Sequence, residues 1–432
     1  MVEVIPFRGV RYDKERIESM NLVVTPPYDV ISDDERDVYY SNSEYSVIKL
    51  SLGRGEKGDS DENNKYTRAK KFLDEWTKEG ILKRDGENSL YIYEQEYSLP
   101  TGERKIMRGF ICLVGLEDLE SGHIYPHERT LPKPAEDRFR LIKAVRANIS
   151  PIISVYSDRH NRINSILKTE AKREPVLRFA DEEGITHGLW VVQDDKIIEA
   201  VVSGMKELDL FIADGHHRYE TALKYSKEGD GSNKHVMMLL VDMNEGGISI
   251  LPAHRLLRNV RKMDEEELES RLLEYFDLEV FRFDGDELSQ RRKMFEHMWG
   301  KSEGGAFGMY VGGKKYYLLT LKDDAIIDGI DGSKPRAWKE LDAVILHSLI
   351  IEGIFGVKDD GSVKYEESIK FIKSRETAIQ AVYEKEYDVA LFLNPTKMSQ
   401  VENVAKTRTR MPQKSTYFFP KPLTGLVMNV MD

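Results

Sequence analysis

The sequence predicts a mixed α/β fold, and three observations support this. Along 432 residues, short apolar runs rich in β-branched residues alternate with longer stretches of helical periodicity. Hydrophobic residues make up 40% of the chain and charged residues 32%, which is typical of a soluble globular protein. No run approaches the 18 apolar residues of a membrane-spanning helix. At about 150 residues per domain, we expect two or three domains and no membrane partner.

The net charge and the cysteine content argue against some classes of function and of binding site. A net charge of −11 argues against a general nucleic-acid binder, which needs a basic face for phosphate contacts. The one cysteine, Cys112, lies in the apolar run GFICLVGL and is predicted to be a buried strand residue, so an internal disulfide or a cysteine-rich zinc site is excluded. The start MVEVIPFRG lacks the features of a signal peptide, and we expect a cytoplasmic protein.

For the first third of the chain, the sequence pattern predicts two strands, two helices and a hairpin. Pro26 and Pro27 stiffen the path to Asp29, which suits a substrate-facing loop or a plain turn. Ser32 and Glu35 have capping-box spacing at the start of a helix. The predicted elements are a strand within 2–11, a helix to about 40, a strand over 45–52, a helix over 65–78 and a hairpin of 90–97 with 105–116.

Three glycines after the predicted strand spell GxGxxG, namely Gly53, Gly55 and Gly58. This pattern binds dinucleotides when a strand precedes it and a helix follows. Here the acidic stretch 59–62 would repel a pyrophosphate. We therefore predict a flexible loop.

Within residues 123–148, the stretch 127–146 carries ten ionisable side chains, and three prolines at 126, 132 and 134 interrupt the segment. A helix is predicted from Asp137 onward, with Arg138 in the apolar register and Lys143 on another face. His127 and Glu128 have the residue types of a proton-transfer pair or of a magnesium-associated carboxylate. A solvated charged surface, with Glu128 in a salt bridge, is the alternative.

In the rest of the chain, the sequence pattern predicts strands that alternate with helices, and then charged helices. Expected strands are 151–156, 208–213, 236–243, 248–251 and 388–393, with a two-strand unit over 188–200 and a hairpin over 307–321. Expected helices are 161–173, 219–225, 264–275, 289–299, 338–355 and 366–384. His254 and Arg255 are predicted as a polar pair offered at a strand end, or as surface residues after a turn. Near residue 260 the pattern changes to charged helices. We therefore predict a domain boundary there, with domains of 1–260 and 261–432.

The most informative stretch is FIADGHHRYETALKY at 211–225, where a predicted strand feeds a helix. Free backbone N–H groups and the positive end of the helix dipole make such a turn an anion site at Gly215, His216 and His217. Arg218 adds a planar fork that can grip phosphate or carboxylate. A capped surface helix is one alternative. A metal site formed by both histidines and Glu220 is another, although HExxH spacing is absent.

The C-terminal stretch MPQKSTYFFP at 411–420 is basic and rich in hydroxyl groups. Its aromatic residues supply apolar area for docking on the core, since an undocked tail usually disorders. Docking would bring Lys414 and Ser415 to the phosphate site.

At these residues two resemblances appear. The GHHR turn resembles the nucleotide-phosphate motif of the ParB and sulfiredoxin superfamily, which includes free serine kinases. Over its whole length the chain resembles a large family catalogued as a domain of unknown function; the matching segments include VVTPPYDVI, YPHERTLPKPAEDRFRLIKAVRANISPI, ADGHHRYETAL, LPAHRLL and MPQKSTYFFPKPLTGLV. The resemblance implies a ParB/sulfiredoxin-like nucleotide-binding core with an additional C-terminal α+β region.

These observations and the resemblance together predict a nucleotide-dependent phosphotransferase acting on a small hydroxylated metabolite, with free L-serine the first choice by analogy. ATP or ADP and Mg²⁺ are the implied cofactors. Asp214, Glu128 and Asp29 are candidates for the carboxylate that accepts the substrate proton, with His127 beside Glu128. A ParB-like nucleotide-binding regulator and a phosphate-ester hydrolase are the alternatives, and a homo-oligomer is left open.

Overall fold

A computed structural model describes residues 1–99, 101–120, 122–128, 132–228, 233–358, 363–412 and 414–431. The chain is a mixed α/β protein, as predicted. It divides into two compact units. Unit 1 comprises Met1–Pro126, Thr130–Ser249 and Phe418–Asp432, and unit 2 comprises His127–Arg129 and Ile250–Tyr417.

The strands of the described residues follow in chain order. They are β1 Val4–Ile5, β2 Val10–Tyr12, β3 Leu82–Arg84, β4 Leu90–Ser98, β5 Arg104–Gly115, β6 Ile124–Pro126, β7 Ala147–Asn148, β8 Ile152–Tyr156, β9 Leu177–Ala180, β10 Thr186–Val192, β11 Leu210–Asp214, β12 His235–Asp242, β13 Ser249–Leu251, β14 His254–Leu257, β15 Phe276–Arg282, β16 Ala306–Tyr310, β17 Lys315–Leu321, β18 Ile369–Ile372, β19 Val389–Leu393, β20 Tyr417–Phe419 and β21 Asn429–Val430.

The α-helices are α1 Met20–Val23, α2 Asp33–Asn42, α3 Ile48–Ser51, α4 Lys65–Lys78, α5 Pro132–Val145, α6 Arg162–Glu170, α7 Asp195–Met205, α8 His216–Glu228, α9 Glu265–Leu272, α10 Glu287–Gly300, α11 Arg336–Lys339, α12 Asp342–Ile345, α13 Val363–Ser368, α14 Arg375–Tyr383 and α15 Met398–Lys406. A π-helix spans Leu346–Ile354, and 3-10 turns occur at Tyr28–Val30, Met243–Glu245 and Asp324–Gly329. None of the described helices is long and apolar enough to cross a bilayer.

Unit 1 is built on a mixed sheet with the strand order β6-β11-β8-β12-β5-β4-β10-β9, and β1 pairs with β5. The pairs β6·β11 and β8·β12 are parallel, whereas β11·β8 and β12·β5 are antiparallel. The central strand β12 reads as a continuous apolar run because both of its faces are covered; from Val236 to Val241 every residue is buried. This sheet fixes the carboxyl end of β11, where the DGHHR turn begins.

Unit 2 has an antiparallel sheet with the order β15-β17-β16-β19-β14-β18. Its core joins α10 and α14 to the sheet through buried residues such as Met294, Phe295, Ala378 and Phe392. The additional C-terminal α+β region is therefore confirmed as a folded layer of helices on a sheet.

Several predicted elements are confirmed. Ser32 and Glu35 form the capping box of α2, and α4 has the predicted bounds 65–78. β4 and β5 form the predicted hairpin, and Cys112 is buried within β5.

Other elements differ from prediction. Residues 45–52, expected as a strand, contain α3 instead, so a helix precedes Gly53 and the strand context of a dinucleotide motif is absent there. The predicted two-strand unit over 188–200 is β10 followed by α7, because Asp194 caps a helix rather than making a hairpin turn. The predicted helix 366–384 is interrupted by β18, which pairs with β14, and the predicted helix 338–355 is split into α11, α12 and the π-helix.

Candidate functional site

The DGHHR turn joins a strand to a helix, as predicted. β11 ends at Asp214, Gly215 has a φ of +94°, and α8 begins at His216. A β-carbon on Gly215 would lie 2.9 Å from Nη2 of Arg218. Both the left-handed backbone and the close approach therefore require glycine here.

Arg218 reaches back from the first turn of α8 to the elements before it. Its Nη1 donates to Oγ of Ser150 at 2.9 Å and to the Pro151 carbonyl, and its Nη2 donates to Oδ2 of Asp214 at 2.9 Å. Its Nε is buried and has no hydrogen-bond partner among the described residues. Three of the five N–H donors of Arg218 are thus used within the protein, and the buried Nε is a donor to which another group could bind.

Asp214 joins Arg218 to a second cation that the sequence analysis missed. Its Oδ1 contacts Nζ of Lys421, which directly follows the stretch 411–420 and belongs to unit 1. The side chains of Asp214 and Lys421 are only 12% and 10% exposed. The two prolines that flank Lys421 fix its backbone, and they are the one sequence signal that could have singled it out.

Arg218 also lines a cavity of about 60 Å³. A second arginine, Arg138 of α5, also lines it. The polar residues around the cavity, besides the arginines, are Tyr28, Ser51, Asn148, Ser150, Thr221 and Thr424. Oγ of Ser51 is buried and, within the described part of the chain, has no hydrogen-bond partner. Two unpartnered buried polar atoms, Arg218 Nε and Ser51 Oγ, thus belong to residues that line one cavity.

Neighbouring groups hold Arg138 in place. Its Nη1 donates to the Ser51 carbonyl at 2.6 Å, and its guanidinium carbon lies 4.0 Å from the centre of the Tyr28 ring. Oδ2 of Asp137 accepts a hydrogen bond from the same guanidinium. Oδ1 of Asp137 accepts hydrogen bonds from Lys65 and Tyr66. Arg138 is consequently fixed at the cavity wall by hydrogen bonds and a cation–π contact.

The pKa shifts keep these groups in defined states at neutral pH. Burial raises the pKa of Tyr28 to about 12, against the opposing effect of the Arg138 charge, so its hydroxyl keeps its proton. Burial also acts to raise the pKa of Asp137, but the charge of Arg138 and the hydrogen bond from Lys65 outweigh it and hold that pKa at about 2. The cavity therefore has a hydroxyl donor and a permanent guanidinium.

The two histidines of the turn differ in exposure: His216 is buried and His217 is half-buried. Among the described residues, no three His, Cys, Asp or Glu side chains are grouped so as to hold a metal ion, so the metal-site alternative with Glu220 is wrong. Magnesium bound with a nucleotide would not need such a group, because Mg²⁺ keeps several waters and binds phosphates with one or two carboxylates. Lys143 lies exposed on α5 and does not line the cavity.

The other predicted site residues lie together in unit 2. His127 is fully buried, with its Nε2 2.9 Å from Oγ1 of Thr416. Oε1 of Glu128 accepts a hydrogen bond from the backbone N–H of Lys414 at 3.0 Å. The hydroxyl of Ser415 donates to the Pro412 carbonyl at 2.6 Å. The structure therefore brings all four predicted residues of this group into one cluster.

The hydrogen bonds of this cluster indicate that part of its role is structural. Glu128 accepts from the backbone N–H of Lys414, and Ser415 donates to the backbone carbonyl of Pro412, so both bonds fix backbone groups. The catalytic role of Glu128 and His127 stays a prediction, as does the expected approach of Lys414 and Ser415 to the phosphate site. Arg129 and Thr130 of the HERT segment lie outside the described residues.

Two further predictions concern the pair His254 and Arg255 and the carboxylate of Asp29. The polar pair expected at a strand end is wrong, because His254 and Arg255 are buried within β14. Burial lowers the pKa of His254 to about 3, with the charges of Arg375 and Arg255 adding to the shift, and burial lowers the pKa of Arg255 to about 10. Asp29 is exposed in the 3-10 turn after Pro27.

Comparison with solved structures gives distant likenesses. A mutant free serine kinase in complex with AMP is 15% identical, covers 71% of this chain and 88% of its own, and has a TM-score of 0.36. Another mutant free serine kinase, in complex with ADP, is 14% identical over the same shares, with a TM-score of 0.35. SbnI with a C-terminal truncation, from Staphylococcus aureus, is 14% identical, covers 73% of this chain and 85% of its own, and has a TM-score of 0.32. These scores are too low to transfer a function.

The comparison of sequences is more decisive about family. No curated protein matches the chain. The model of one protein family matches residues 4–344, which is well over half of the sequence. The chain belongs to the family described as "Protein of unknown function (DUF1015)".

Proposed function

We propose that this protein is a nucleotide-dependent phosphotransferase that acts on a small hydroxylated metabolite, with free L-serine as the first substrate to test. The observation that carries the proposal is the cavity in unit 1: Arg138 and Arg218 both line it, and Arg218 Nε and Ser51 Oγ, on two of its lining residues, have no hydrogen-bond partner among the described residues.

The chemistry of the cavity suits a phosphate group. A buried donor without an acceptor costs about 1–3 kcal/mol, and an oxyanion that accepts from it removes that cost. Two guanidinium groups in a poorly solvated site attract negative charge more strongly than they would in water. A space of about 60 Å³ exceeds what a single water needs and suits one phosphate group rather than a whole nucleotide.

The turn next to the cavity supports the same ligand. The helix dipole of α8 is positive at the end where the helix begins, at His216, and favours negative charge there. A nucleotide with one phosphate in the cavity would have its remaining phosphates close to this end of α8. ATP and ADP both meet this requirement.

Magnesium and a proton acceptor complete the proposal. Asp214 is the carboxylate proposed to take part in holding nucleotide-bound Mg²⁺, which when bound would neutralise charge developing on the phosphates. Because Asp214 is paired with Arg218 and Lys421, it is a poor proton acceptor. Glu128, with a hydrogen bond from the Lys414 N–H, is the carboxylate proposed to accept the substrate proton.

Two assays test the proposal in sequence. Thermal stability is first measured with ATP, ADP and AMP, with and without Mg²⁺, because a ligand that binds the folded state raises the melting temperature. Transfer of radiolabelled phosphate from each binding nucleotide is then measured across hydroxy amino acids, starting with L-serine. We expect a labelled, nucleotide-dependent product; a protein that binds no nucleotide would refute the proposal.

One observation favours a second candidate function, a nucleotide-binding regulator. Among the described residues that line the cavity there is no carboxylate, so phosphate binding there needs no catalytic group beside it. A regulator would bind nucleotide in the thermal-shift assay and give no labelled product with any hydroxy compound.

A further inference from the structure

Lys421, which directly follows the stretch 411–420, contributes a charge to the site. Lys421 contacts Oδ1 of Asp214, while Arg218 donates to Oδ2 of the same carboxylate at 2.9 Å. All three side chains are nearly buried, with exposures of 10% to 12%. Lys421 lies beyond the residues 4–344 matched by the family model, and nothing in that match points to it.

Contacts within unit 1 fix the position of Lys421. Its carbonyl accepts from Nε2 of Gln95 at 3.0 Å, and the Leu423 N–H lies 3.4 Å from the hydroxyl of Tyr93. Thr424, which lines the cavity, forms a β-bridge with Thr25. The lysine is therefore held on the central sheet of unit 1 and is not a mobile tail residue that meets Asp214 by chance.

The charges of the three groups do not cancel. Asp214 contributes −1, and Arg218 and Lys421 contribute +1 each, so the trio carries +1 at neutral pH. Without Lys421, the carboxylate of Asp214 would neutralise Arg218, and the arginine would present no net charge to the cavity. With Lys421 in place, the formal charges of these three side chains sum to +1, which favours an anion beside Arg218.

We propose that Lys421 is a positioning residue for phosphate: it occupies one side of Asp214 so that the charge of Arg218 is available to an oxyanion in the cavity. This inference rests on the proposed phosphate site, and it adds that Lys421, just after the stretch 411–420, is part of that site. The ligand class is a phosphate group, either free or at the end of a nucleotide.

Charge-altering variants test the proposal by calorimetric titration of the full-length protein with inorganic phosphate in magnesium-free buffer. Lys421→Met brings the trio to 0, Asp214→Asn brings it to +2, and the double variant returns it to +1. We expect phosphate binding about tenfold weaker for Lys421→Met, about tenfold tighter for Asp214→Asn, and near the parent value for the double variant, from one unit charge acting across a partly buried site. A merely structural pair would give a double variant at least as impaired as either single variant.

Matched controls separate charge from damage to the fold. Lys421→Arg keeps the charge and should bind phosphate like the parent, whereas Lys168→Met, which removes a lysine paired with Glu245 at 2.8 Å in unit 1, should leave binding unchanged. Urea denaturation of each variant shows whether it folds. If Lys421→Met does not fold, Asp214→Asn still tests the proposal. Tighter phosphate binding than in the parent supports the role of Lys421, and equal or weaker binding overturns it.

The outcomes also distinguish this inference from the proposed function. The predicted order of phosphate affinities without any ATP binding would support the role of Lys421 and refute a nucleotide-dependent enzyme. ATP binding with equal phosphate affinity in Lys421→Met and the parent would overturn the role of Lys421 alone. A parent protein that binds no phosphate would overturn the inference.

Discussion

At the scale of single residues, the site depends on two polar atoms that folding has buried without partners among the described residues. Arg218 Nε and Ser51 Oγ lie on residues that line the same cavity. Folded proteins pair most buried polar groups, because each unpaired one costs about 1–3 kcal/mol. A ligand that forms hydrogen bonds with both atoms would remove this cost. The cavity that their residues line is therefore a candidate binding site.

Replacing Arg218 tests this directly. Arg218→Ala should weaken nucleotide binding by about 1.5–3 kcal/mol, the range for hydrogen bonds to charged groups, because the unpartnered Nε is lost. Calorimetric titration with ATP provides the measurement. Arg140→Ala is the control, since Arg140 is exposed and pairs with Glu136 on α5. Equal affinity of Arg218→Ala and the parent would show that the anion binds elsewhere.

Replacing Glu128 separates catalysis from binding. Glu128→Gln keeps an oxygen that can accept from the Lys414 N–H, so the cluster in unit 2 should stay folded. We expect unchanged nucleotide binding and phosphoryl transfer lowered by roughly 100-fold, the scale of general-base catalysis. Glu402→Gln, which alters an exposed pair with Lys406, is the control. Unchanged transfer in Glu128→Gln would mean that another group accepts the proton.

At the scale of elements, the strand–glycine–helix junction of β11 and α8 positions the site. Gly215 turns the chain with a φ of +94° and lets Arg218 pass 2.9 Å from where a β-carbon would stand. The turn residues, the apolar strand before them and the helical spacing after them made this junction predictable from sequence. Local signals of this kind also identified α2, α4 and the β4–β5 hairpin.

A glycine pair tests the role of this junction. Gly215→Ala should lower the free energy of unfolding by about 2–4 kcal/mol, because it adds a clash with Arg218 to the strain of a left-handed backbone. Gly58→Ala is the matched control: its φ is +104°, but nothing lies within 4 Å of the added carbon, so only about 1 kcal/mol should be lost. Urea denaturation of both variants gives the comparison, and equal losses would mean that the approach of Arg218 is not tight.

Elements whose form depends on distant partners were predicted poorly. Residues 45–52 have strand-like composition, yet Val47, Ile48 and Leu50 are fully buried around a short helix. The helical periodicity of 366–384 did not reveal β18, because that strand exists through its pairing with β14. Tertiary contacts override local preference in such cases.

At the scale of the whole molecule, the candidate site joins residues far apart in sequence. Asp214 and Lys421 are separated by 207 positions, and Arg218 and Ser150 by 68. The sequence pointed to Asp214 and Arg218 through their turn, but it had no local signal for Ser51 or Tyr28 as cavity residues. Their place follows from the packing of unit 1, which no spacing rule encodes.

Stability should depend on pH through a buried carboxyl group in unit 2. Burial raises the pKa of Asp342 to about 6, although a hydrogen bond from the Gly305 N–H opposes the shift. Because the folded state then binds the proton more tightly than the unfolded state, stability should fall as pH rises from about 4 to about 6 and stay lower above that.

Asp342→Asn removes this effect while keeping an oxygen for Gly305. We expect the variant to gain at most about 3 kcal/mol at pH 8, from a shift of roughly two pKa units, and to gain little at pH 4. Urea denaturation at the two pH values measures this. A variant less stable than the parent at pH 8 would show that the charged form is favoured in the fold.

The most direct test of the central claim is a crystal structure of the protein with a non-hydrolysable ATP analogue and Mg²⁺. We predict that a phosphate oxygen accepts hydrogen bonds from Arg218 Nε and Ser51 Oγ, within about 3 Å of each. A bound analogue whose phosphates lie away from Arg138 and Arg218, with the cavity unchanged, would contradict the assignment of the phosphate site.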